Sequence, residues 1–366
     1  MKTTFILSKD PRFESTGDLT MAQLVMDLAR EAHQVQVLCL SAHPDATDGG
    51  YRRVAKPHPR AIPIVAGSLL RRRSLVHTRF LSGELVDAVR ATSTDLFVAD
   101  HSYMAECVLA AFGSGAKDFL AVNTVVPESL IWTGTRGLAG RIDSPRIIRD
   151  ETRVALAARS VASYDKQEAD HYRSLGIERS YWLDLTLPPA RRVPVEATPP
   201  RLLFLGDRRW APNQEAFLQL LQWWPRIADG IAGAELCIVG AADPDQPAPR
   251  LPAGVRELGF VEDLDGFLAG CRALAAPIRT GGGVRVKILD AVSRGLPVIG
   301  TGPAVGSLGE LLGIASIDDP GEFIDRCRNY LLDRGAAAGY GARLYEIGAD
   351  RWQNRLPHKT VDEWLR

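Results

Sequence analysis

One stretch of the chain, residues 276–301, constrains the fold more than any other, and it reads APIRTGGGVRVKILDAVSRGLPVIGT. The apolar run at residues 273–278 precedes three successive glycines and predicts a buried strand. After the glycines, apolar residues recur at helical spacing until the Gly-Leu-Pro at residues 295–297 ends the helix, and residues 297–300 predict the next strand. The apolar positions of that helix are Val284, Ile288, Leu289 and Val292. This order of elements is typical of a doubly wound α/β domain.

The glycines and the helix that follows them predict an anion site. Gly281, Gly282 and Gly283 let a ligand touch the main chain, because they carry no side chain. The start of the helix offers unpaired N–H groups with a partial positive charge. Arg285 and Lys287 add cations in the first turn, where helices usually prefer acids. Cations there work against the helix dipole, so an anion is expected, and phosphate is the favoured one.

The run GGGVRVKILDAVSRGLPVIGT resembles the donor-site signature of retaining glycosyltransferases of the family-4 type, which have the GT-B fold. A sub-group carries Gly-Gly-Gly-x-Arg-x-Lys-Ile-Leu-Glu-Ala, and this chain is similar to it. Gly282 stands where the commoner form has a first glutamate, and Asp290 stands at the second. The resemblance implies that Asp290 holds the ribose hydroxyls and that Lys287 and Arg285 bind the diphosphate. A glycine-rich connection in some other α/β protein is the alternative.

Composition limits the class of protein. With 366 residues, two domains are expected, and the zero net charge argues against a general nucleic-acid binder. The five cysteines are odd in number and widely spaced, which favours reduced core thiols over disulfides or a zinc site. No apolar stretch approaches the length of a membrane span, and the first residues turn charged too early for a signal peptide. A cytoplasmic protein is therefore expected.

The first half of the chain predicts a doubly wound sheet whose strands end in polar residues. The predicted strands are residues 5–8, 34–40, 96–99 and 119–122. Asp100 and His101 follow the third strand, and Asn123 follows the fourth. Ligands of such sheets bind at the carboxyl ends of the strands, so these three residues are candidate catalytic groups. The loop after the first strand lacks G-x-G-x-x-G, so a nicotinamide or flavin site is not expected.

Resemblance to the family adds roles to these residues. Relatives carry a glycine near the donor phosphates in the first loop, and Gly17 is the matching candidate. Many relatives also place a histidine where this chain has Asn123, and His101 is the nearest imidazole in the sequence. Asp100 could orient His101 or accept a proton from the acceptor itself. A structural histidine and a plain helix-start glycine remain the alternatives.

A basic segment in the first half predicts a surface element. Residues 51–80 contain eight cations and no acid, with apolar residues between them. The cations are Arg52, Arg53, Lys56, Arg60, Arg71, Arg72, Arg73 and Arg79. Such an element suits an anionic membrane face or a phosphorylated acceptor, and the resemblance favours peripheral contact of residues 52–79 with the inner membrane face. A solvated basic loop is the alternative.

The second half repeats the strand-loop-helix pattern after a proline-rich stretch. The predicted organisation is an acceptor-binding domain at residues 1–185, a linker at 186–200, a nucleotide-sugar domain at 201–344 and a C-terminal helix at 345–366 that returns to the first domain. After the strand at 201–205, the loop from Gly206 to Asn213 resembles the sub-group's Trp-x-Pro-Asn form and lacks the usual lysine. Arg208 and Arg209 are therefore further candidates for the diphosphate.

The resemblance to the family assigns nucleoside binding to other residues of the second half. The glycine that ends the strand at 235–239 is Gly240, and the element at 259–263 matches the one whose main chain meets the nucleobase. Phe260 and Val261 are its candidate residues. Asp290 completes the predicted nucleoside site.

The expected fold class is α/β with GT-B architecture, two Rossmann-like domains facing across a cleft. The resemblance implies metal-independent transfer of a sugar, with retention, from a nucleotide diphosphate donor to an acceptor hydroxyl. UDP is favoured and GDP comes next; the acceptor is a saccharide, a lipid-linked or a small-molecule hydroxyl. No cofactor is expected, because the nucleotide-sugar is a substrate. A sugar-nucleotide epimerase of the same fold and a non-catalytic partner subunit with a decayed donor site remain open.

Overall fold

The computed structural model describes residues 1–366 apart from residues 48, 49 and 284, and without the side chains of residues 134 and 135. It divides into two compact units, Met1–Leu185 with Leu356–Arg366, and Thr186–Arg355. The stretch predicted as a linker, residues 186–200, belongs to the second unit. The segment that rejoins the first unit begins at Leu356, later than the predicted residue 345, because the helix Arg334–Gln353 packs within the second unit.

The first unit is built on a parallel sheet of seven strands. These are β1 (Lys2–Leu7), β2 (Gln34–Ser41), β3 (Tyr51–Ala55), β4 (Leu96–Asp100), β5 (Leu120–Asn123), β6 (Ser160–Ser163) and β7 (Ser180–Trp182). Its helices are α1 (Gly17–Arg30), α2 (Ala61–Arg71), α3 (Leu75–Arg79), α4 (Gly83–Arg90), α5 (Ala105–Phe112), α6 (Glu128–Thr135), α7 (Gly137–Ala157) and α8 (Lys166–Ser174). The central strands β4, β5 and β6 are buried along their whole length, as parallel strands covered on both faces must be.

The order of strands in the first sheet is β3-β2-β1-β4-β5-β6-β7, and every pair is parallel. The chain moves outward from β1 in one direction and then outward from β4 in the other. The connections after β1 and after β4 therefore diverge and leave a crevice at the carboxyl edge, where ligands of doubly wound sheets bind.

The second unit has a parallel sheet of five strands. These are β8 (Arg201–Leu205), β9 (Glu235–Val239), β10 (Val255–Gly259), β11 (Ala273–Ala276) and β12 (Val298–Gly300). Its helices are α9 (Ala211–Ala228), α10 (Leu264–Leu268), α11 (Val286–Ser293), α12 (Gly302–Val305), α13 (Leu308–Leu312), α14 (Pro320–Leu332) and α15 (Arg334–Gln353). The last helix of the chain, α16 (Leu356–Leu365), packs on α1 and β6 of the first unit.

The second sheet has the order β10-β9-β8-β11-β12, so its switch point lies between β8 and β11. The predicted α/β class is confirmed for both units. The predicted helix after the glycine loop is α11, which begins at Val286; Val284 lies outside the described residues. The loops that leave β8 and β11 carry the residues predicted to bind the diphosphate.

The basic segment at residues 52–79 is not one surface element, as the sequence predicted, but forms β3, α2 and α3. Arg53 lies inside the unit, where its Nε is 2.7 Å from Asp10 Oδ2 and both side chains are buried. Arg52 donates from Nη1 to the Ala88 carbonyl at 3.1 Å. Strand β3 takes these two arginines into the sheet because acids and carbonyls from distant parts of the chain satisfy them. Most exposed residues of the segment lie in α2 and in the stretch just before it, residues 58–60.

Candidate functional site

The glycine loop of the second unit adopts conformations that favour glycine. Gly281 has φ of 144° and Gly283 has φ of 72°, both in the region that side chains avoid. The loop leads into α11, whose cap residue is Arg285 and whose first turn contains no acid. The N–H groups at this helix start thus have no carboxylate from their own helix nearby, which leaves the predicted anion position at the carboxyl edge of the sheet.

Arg285 links the glycine loop to the turn after β12. Its Nη1 donates to the Gly283 carbonyl at 2.8 Å, and its Nε lies 3.4 Å from the Pro303 carbonyl. The guanidinium also lies against Gly306, where an added Cβ would be 2.0 Å from Arg285 Cζ. Arg285 therefore joins the loop after β11 to the turn after β12, beside the helix start.

Lys287 is a cation without an acid partner in the described part of the chain. Its Nζ donates to Asn213 Oδ1 at 2.8 Å and lies 5.6 Å from the centroid of the Phe204 ring. Burial lowers the pKa of Lys287 to about 8. Lys287 is a desolvated ammonium whose hydrogen-bond acceptor is neutral. An anionic ligand would stabilise its charged form and raise its pKa again, so this position favours anion binding.

The two arginines of the loop after β8 have acid partners. Arg208 is buried, forms an ion pair with Glu257 and lies 4.2 Å from the centroid of the Phe217 ring. Arg209 is exposed, and its Nε donates to Asp207 Oδ1 at 2.9 Å. The structure thus brings both predicted diphosphate residues to the carboxyl edge of the sheet but engages each in an ion pair.

The predicted nucleoside residues lie at the same edge. Gly240 follows β9 with φ of 125°, and a Cβ there would lie 2.2 Å from the Gly206 carbonyl oxygen, so the two loops touch through their main chains. Phe260 follows β10 with 85% of its surface exposed, and Val261 comes directly after it. Asp290 lies on α11.

Asp290 is engaged as the structure stands. Its Oδ1 accepts from Arg294 Nη1 at 2.8 Å, and Arg294 also pairs with Asp265. Burial raises the pKa of Asp290 above its ordinary value despite the favourable charge of Arg294. A ribose hydroxyl at this carboxylate would share it with Arg294.

At the carboxyl edge of the first sheet, the side chains of Asp100 and Asn123 are hydrogen-bonded to each other. Asn123 Nδ2 donates to Asp100 Oδ1 at 2.9 Å and lies 2.9 Å from the Tyr164 hydroxyl. The main-chain N–H of Val125 donates to Asn123 Oδ1 at 3.3 Å. All four residues are buried, so this network fixes the ends of β4, β5 and β6. Sequence reasoning missed Tyr164, because only the sheet order places β6 beside β5.

His101 occupies the turn between β4 and the short 3₁₀ helix Ser102–Met104 with φ of 76°, an unusual value for a residue with a side chain. Its ring is buried and lies 5.0 Å from the centroid of Tyr103. Nδ1 is 3.6 Å from Asp100 Oδ2, and Nε2 is 3.8 Å from Asp18 Oδ2. Strain at a buried imidazole beside two carboxylates marks His101 as the strongest candidate of the first unit.

The charges around His101 set its protonation. Burial lowers the pKa of His101, but the carboxylates of Asp100, Glu128 and Asp18 outweigh burial and raise the pKa above its ordinary value. Asp18 is itself paired with Lys9, whose Nζ is 2.7 Å from Asp18 Oδ2. An imidazole whose pKa is raised by neighbouring carboxylates suits acid-base work on a hydroxyl group.

Lys9 and Asp18 were missed by the sequence analysis, although they flank the loop in which Gly17 was predicted. Gly17 begins α1 and is exposed, next to Asp18. In the sequence, Asp18 stands out only as an acid in the first turn of a helix. Acids are common there, so this position does not indicate a site by itself.

Two further acids are buried in the first unit, Glu128, whose charge acts on His101, and Glu151, which contacts Glu128. The main-chain N–H of Glu128 donates to Glu151 Oε1 at 2.8 Å. Burial raises the pKa of Glu151 to about 8, and burial also raises the pKa of Glu128. Neither acid has a sequence pattern that would single it out. In the described residues there is no group of three or more His, Cys, Asp or Glu side chains placed to hold a metal ion.

We expect His101→Gly to be more stable than His101→Ala by about 1–2 kcal/mol, because glycine adopts the positive φ without strain. Both variants lack the imidazole, so both should lose turnover if the side chain acts on the substrate. Urea unfolding of the two variants checks the first statement. An alanine variant as stable as the glycine variant would show that the turn carries no strain.

Comparison with protein families gives a match in the second unit. Residues 199–333 match the family described as Glycosyl transferases group 1. The matched segment contains the glycine loop, Lys287 and the loop after β8. No curated protein sequence matches the chain significantly.

Solved structures match the chain over nearly its whole length. Sucrose-phosphate synthase from Thermosynechococcus elongatus has a TM-score of 0.69 at 15% identity, covering 99% of this chain and 98% of that chain. HepE from Anabaena in complex with UDP and glucose has a TM-score of 0.68 at 13% identity, covering 99% of both chains. A putative UDP-N-acetylglucosamine 2-epimerase from Listeria monocytogenes has a TM-score of 0.58 at 13% identity, covering 97% and 95%. The fold is thus that of GT-B glycosyltransferases, two Rossmann-like domains each with a parallel sheet.

Proposed function

We propose that the chain is a glycosyltransferase that moves a sugar from a UDP-sugar to an acceptor hydroxyl, with retention of configuration and without a metal. The observation that carries the proposal is Lys287, a cation with no acid partner in the described part of the chain, at the start of α11 and at the switch point of the second sheet. It lies inside the segment that matches the glycosyltransferase family. The complex of HepE with UDP and glucose supports UDP as the carrier.

The proposed chemistry is stabilisation of the leaving diphosphate. As the bond from the sugar to the diphosphate breaks, negative charge develops on the phosphate oxygens. Lys287 and the main-chain N–H groups at the start of α11 are placed to receive that charge, and they are already oriented before the reaction. Gly281, Gly282 and Gly283 let the phosphates approach the main chain closely. The donor is a substrate, so no cofactor takes part.

The first unit would bind the acceptor at the crevice between β1 and β4. His101, with Asp100 and Asp18 beside it, is the group placed to hold or take the proton of an acceptor hydroxyl. Asn123 and Asp100 then act mainly through their hydrogen bonds to each other and to Tyr164. A saccharide, a lipid-linked acceptor or a small-molecule hydroxyl fits this chemistry.

Peripheral contact with an anionic membrane face is proposed for α2. Its exposed apolar side chains include Ile62 and Leu70, at 83% and 86% exposure, and Arg71 and Arg72 stand at its end. Among the described residues, no helix is both long and apolar enough to cross a membrane. The protein would act in the cytoplasm, at the inner membrane face.

We expect the protein to sediment with vesicles that contain anionic lipid and to stay in solution with neutral ones. An Ile62→Ser, Leu70→Ser double variant should lose this binding, because it removes the apolar surface that enters the headgroup region. Equal sedimentation of the double variant would remove α2 from the membrane contact. Leu332→Ser, an exposed leucine of the second unit, is the matched control.

The epimerase alternative has its own support, since a putative sugar-nucleotide epimerase shares the fold. The two activities differ in whether they need an acceptor, and this difference can be measured. A transferase releases UDP from UDP-glucose faster when an acceptor saccharide is added. An epimerase converts UDP-N-acetylglucosamine without any acceptor, and a non-catalytic subunit with a decayed site does neither.

Lys287→Met is expected to weaken UDP binding by about 1.5–3 kcal/mol, the usual contribution of a hydrogen bond to a charged group, or roughly 10- to 150-fold. Calorimetric titration at pH 7 measures it. Lys117→Met removes an exposed lysine from the first unit and should leave the affinity unchanged. Wild-type affinity in the Lys287 variant would exclude Lys287 from the phosphate site.

A further inference from the structure

Asn213 lies where the two loops of the donor site meet. It is the third residue of α9 and is 5% exposed. Instead of facing away from the sheet, its amide turns back over the loop after β8. A Cβ on Gly206 would lie 2.7 Å from the Asn213 amide nitrogen, so the amide packs directly on this glycine.

Both ends of the amide are used. Nδ2 donates to the Asp207 carbonyl at 2.8 Å, and Oδ1 accepts from Lys287 Nζ at 2.8 Å. This orientation is the only one that satisfies both contacts, since the reversed amide would set two donors against each other and two acceptors against each other. One side chain thus fixes the loop after β8 and the ammonium from α11.

Three acids of the loop after β8, of β10 and of α11 are paired with cations other than Lys287. Asp207 pairs with Arg209, Glu257 with Arg208, and Asp290 with Arg294. Arg285, the other cation of this helix start, faces the carbonyls of Gly283 and Pro303. In the part of the chain that the structure describes, the hydrogen-bond acceptor of Lys287 is therefore an uncharged oxygen.

We infer that Asn213 is a positioning residue of the donor site, which holds the Lys287 ammonium in place with a neutral oxygen and leaves its charge for the diphosphate. An aspartate at this position would give the same reach but would neutralise the lysine. An alanine would remove the hydrogen bond to Nζ, and the Lys287 side chain could then adopt other rotamers. The inference rests on the proposed function, since it assigns the lysine to a diphosphate.

A consequence follows for pH dependence. Because burial lowers the pKa of Lys287 to about 8, part of the protein carries a neutral lysine near that pH. A bound diphosphate favours the charged form, so binding takes up a proton. UDP affinity should fall by about 10-fold between pH 7 and pH 9, a range in which the phosphate itself stays ionised.

Calorimetric titration with UDP at pH 7 and pH 9 tests the inference on three proteins. The unaltered protein should lose about 10-fold in affinity between the two pH values. Asn213→Asp should bind at least about 10-fold more weakly at pH 7 and should show no such loss, because the new carboxylate keeps the lysine paired and protonated. Lys287→Arg should also lose the pH dependence, since a guanidinium stays charged at both values.

The Lys287→Arg variant keeps the test valid if Asn213→Asp disturbs the loop, because it leaves Asn213 in place. Lys117→Arg is the control for general effects of pH. An Asn213→Asp protein with unaltered affinity and pH profile would overturn the positioning role, and so would a Lys287→Arg protein that keeps the pH dependence. If the unaltered protein binds none of UDP, GDP, ADP and TDP at pH 7, the proposed function itself fails, and the inference fails with it.

Discussion

Replacing Gly240 by alanine is expected to lower the free energy of unfolding of the second unit by at least about 3 kcal/mol. Two costs add at this position. The φ of 125° is strained for any side chain, and the new Cβ would lie 2.2 Å from the Gly206 carbonyl oxygen and 2.6 Å from its carbonyl carbon. Main-chain atoms cannot turn away as a side chain can, so the loop after β8 or the end of β9 must move.

Gly230→Ala is the matched control for this prediction. Gly230 has φ of 70°, also positive, but nothing lies within 4 Å of an added Cβ. Alanine there should cost about 1 kcal/mol from strain alone. Urea unfolding of both variants separates the two costs. If Gly240→Ala were no less stable than Gly230→Ala, the close approach of the two loops would be wrong, and with it the geometry of the predicted nucleoside site.

The second large effect is expected from Glu151→Gln and depends on pH. Burial raises the pKa of Glu151 from 4.5 to about 8. In the unfolded chain the carboxyl group ionises near its ordinary pKa, whereas in the folded protein it stays protonated until about pH 8. Unfolding therefore releases a proton between these values. The stability from this group is fully present below pH 4.5 and is lost as the pH rises towards 8.

Glutamine removes this loss, because it cannot ionise and keeps an oxygen for the N–H of Glu128. At about 1.4 kcal/mol per pH unit between 4.5 and about 8, Glu151→Gln should be more stable than the unaltered protein by roughly 4–5 kcal/mol at pH 8. The two proteins should be nearly equal at pH 4.5. Thermal unfolding across this range measures the difference, with the exposed Glu84→Gln as the control. A gain that does not change with pH would contradict a protonated Glu151.

Local sequence patterns predict the elements of the second unit closely. The predicted strands at 201–205 and 235–239 are β8 and β9 with the same bounds, because buried parallel strands are continuous apolar runs. The order of these elements also predicted which loops share an edge of the sheet. The position of the candidate donor site at the switch point follows from the strand order, which the structure supplies.

Ion pairs and hydrogen bonds between residues far apart in the sequence could not be predicted in this way. Arg208 and Arg53 were expected at the surface or at a phosphate, yet they pair with Glu257 and Asp10 from distant elements. Asn213 was recognised as part of a motif, but its contact with Lys287 joins residues from two different strand-helix connections. The strain at His101 depends on how β4 turns into the next helix, which no residue pattern reports.

The most direct test of the proposed function is the melting temperature of the protein with UDP, GDP, ADP and TDP, each without and with magnesium. A ligand that binds only the folded state raises the melting temperature, and at one concentration a tighter ligand raises it further. We expect UDP to stabilise the protein selectively, to the same extent with and without the metal, and to lose this effect in Lys287→Met. A melting temperature that none of the four nucleotides raises above that of the nucleotide-free protein would contradict a donor site at the glycine loop and favour a decayed one.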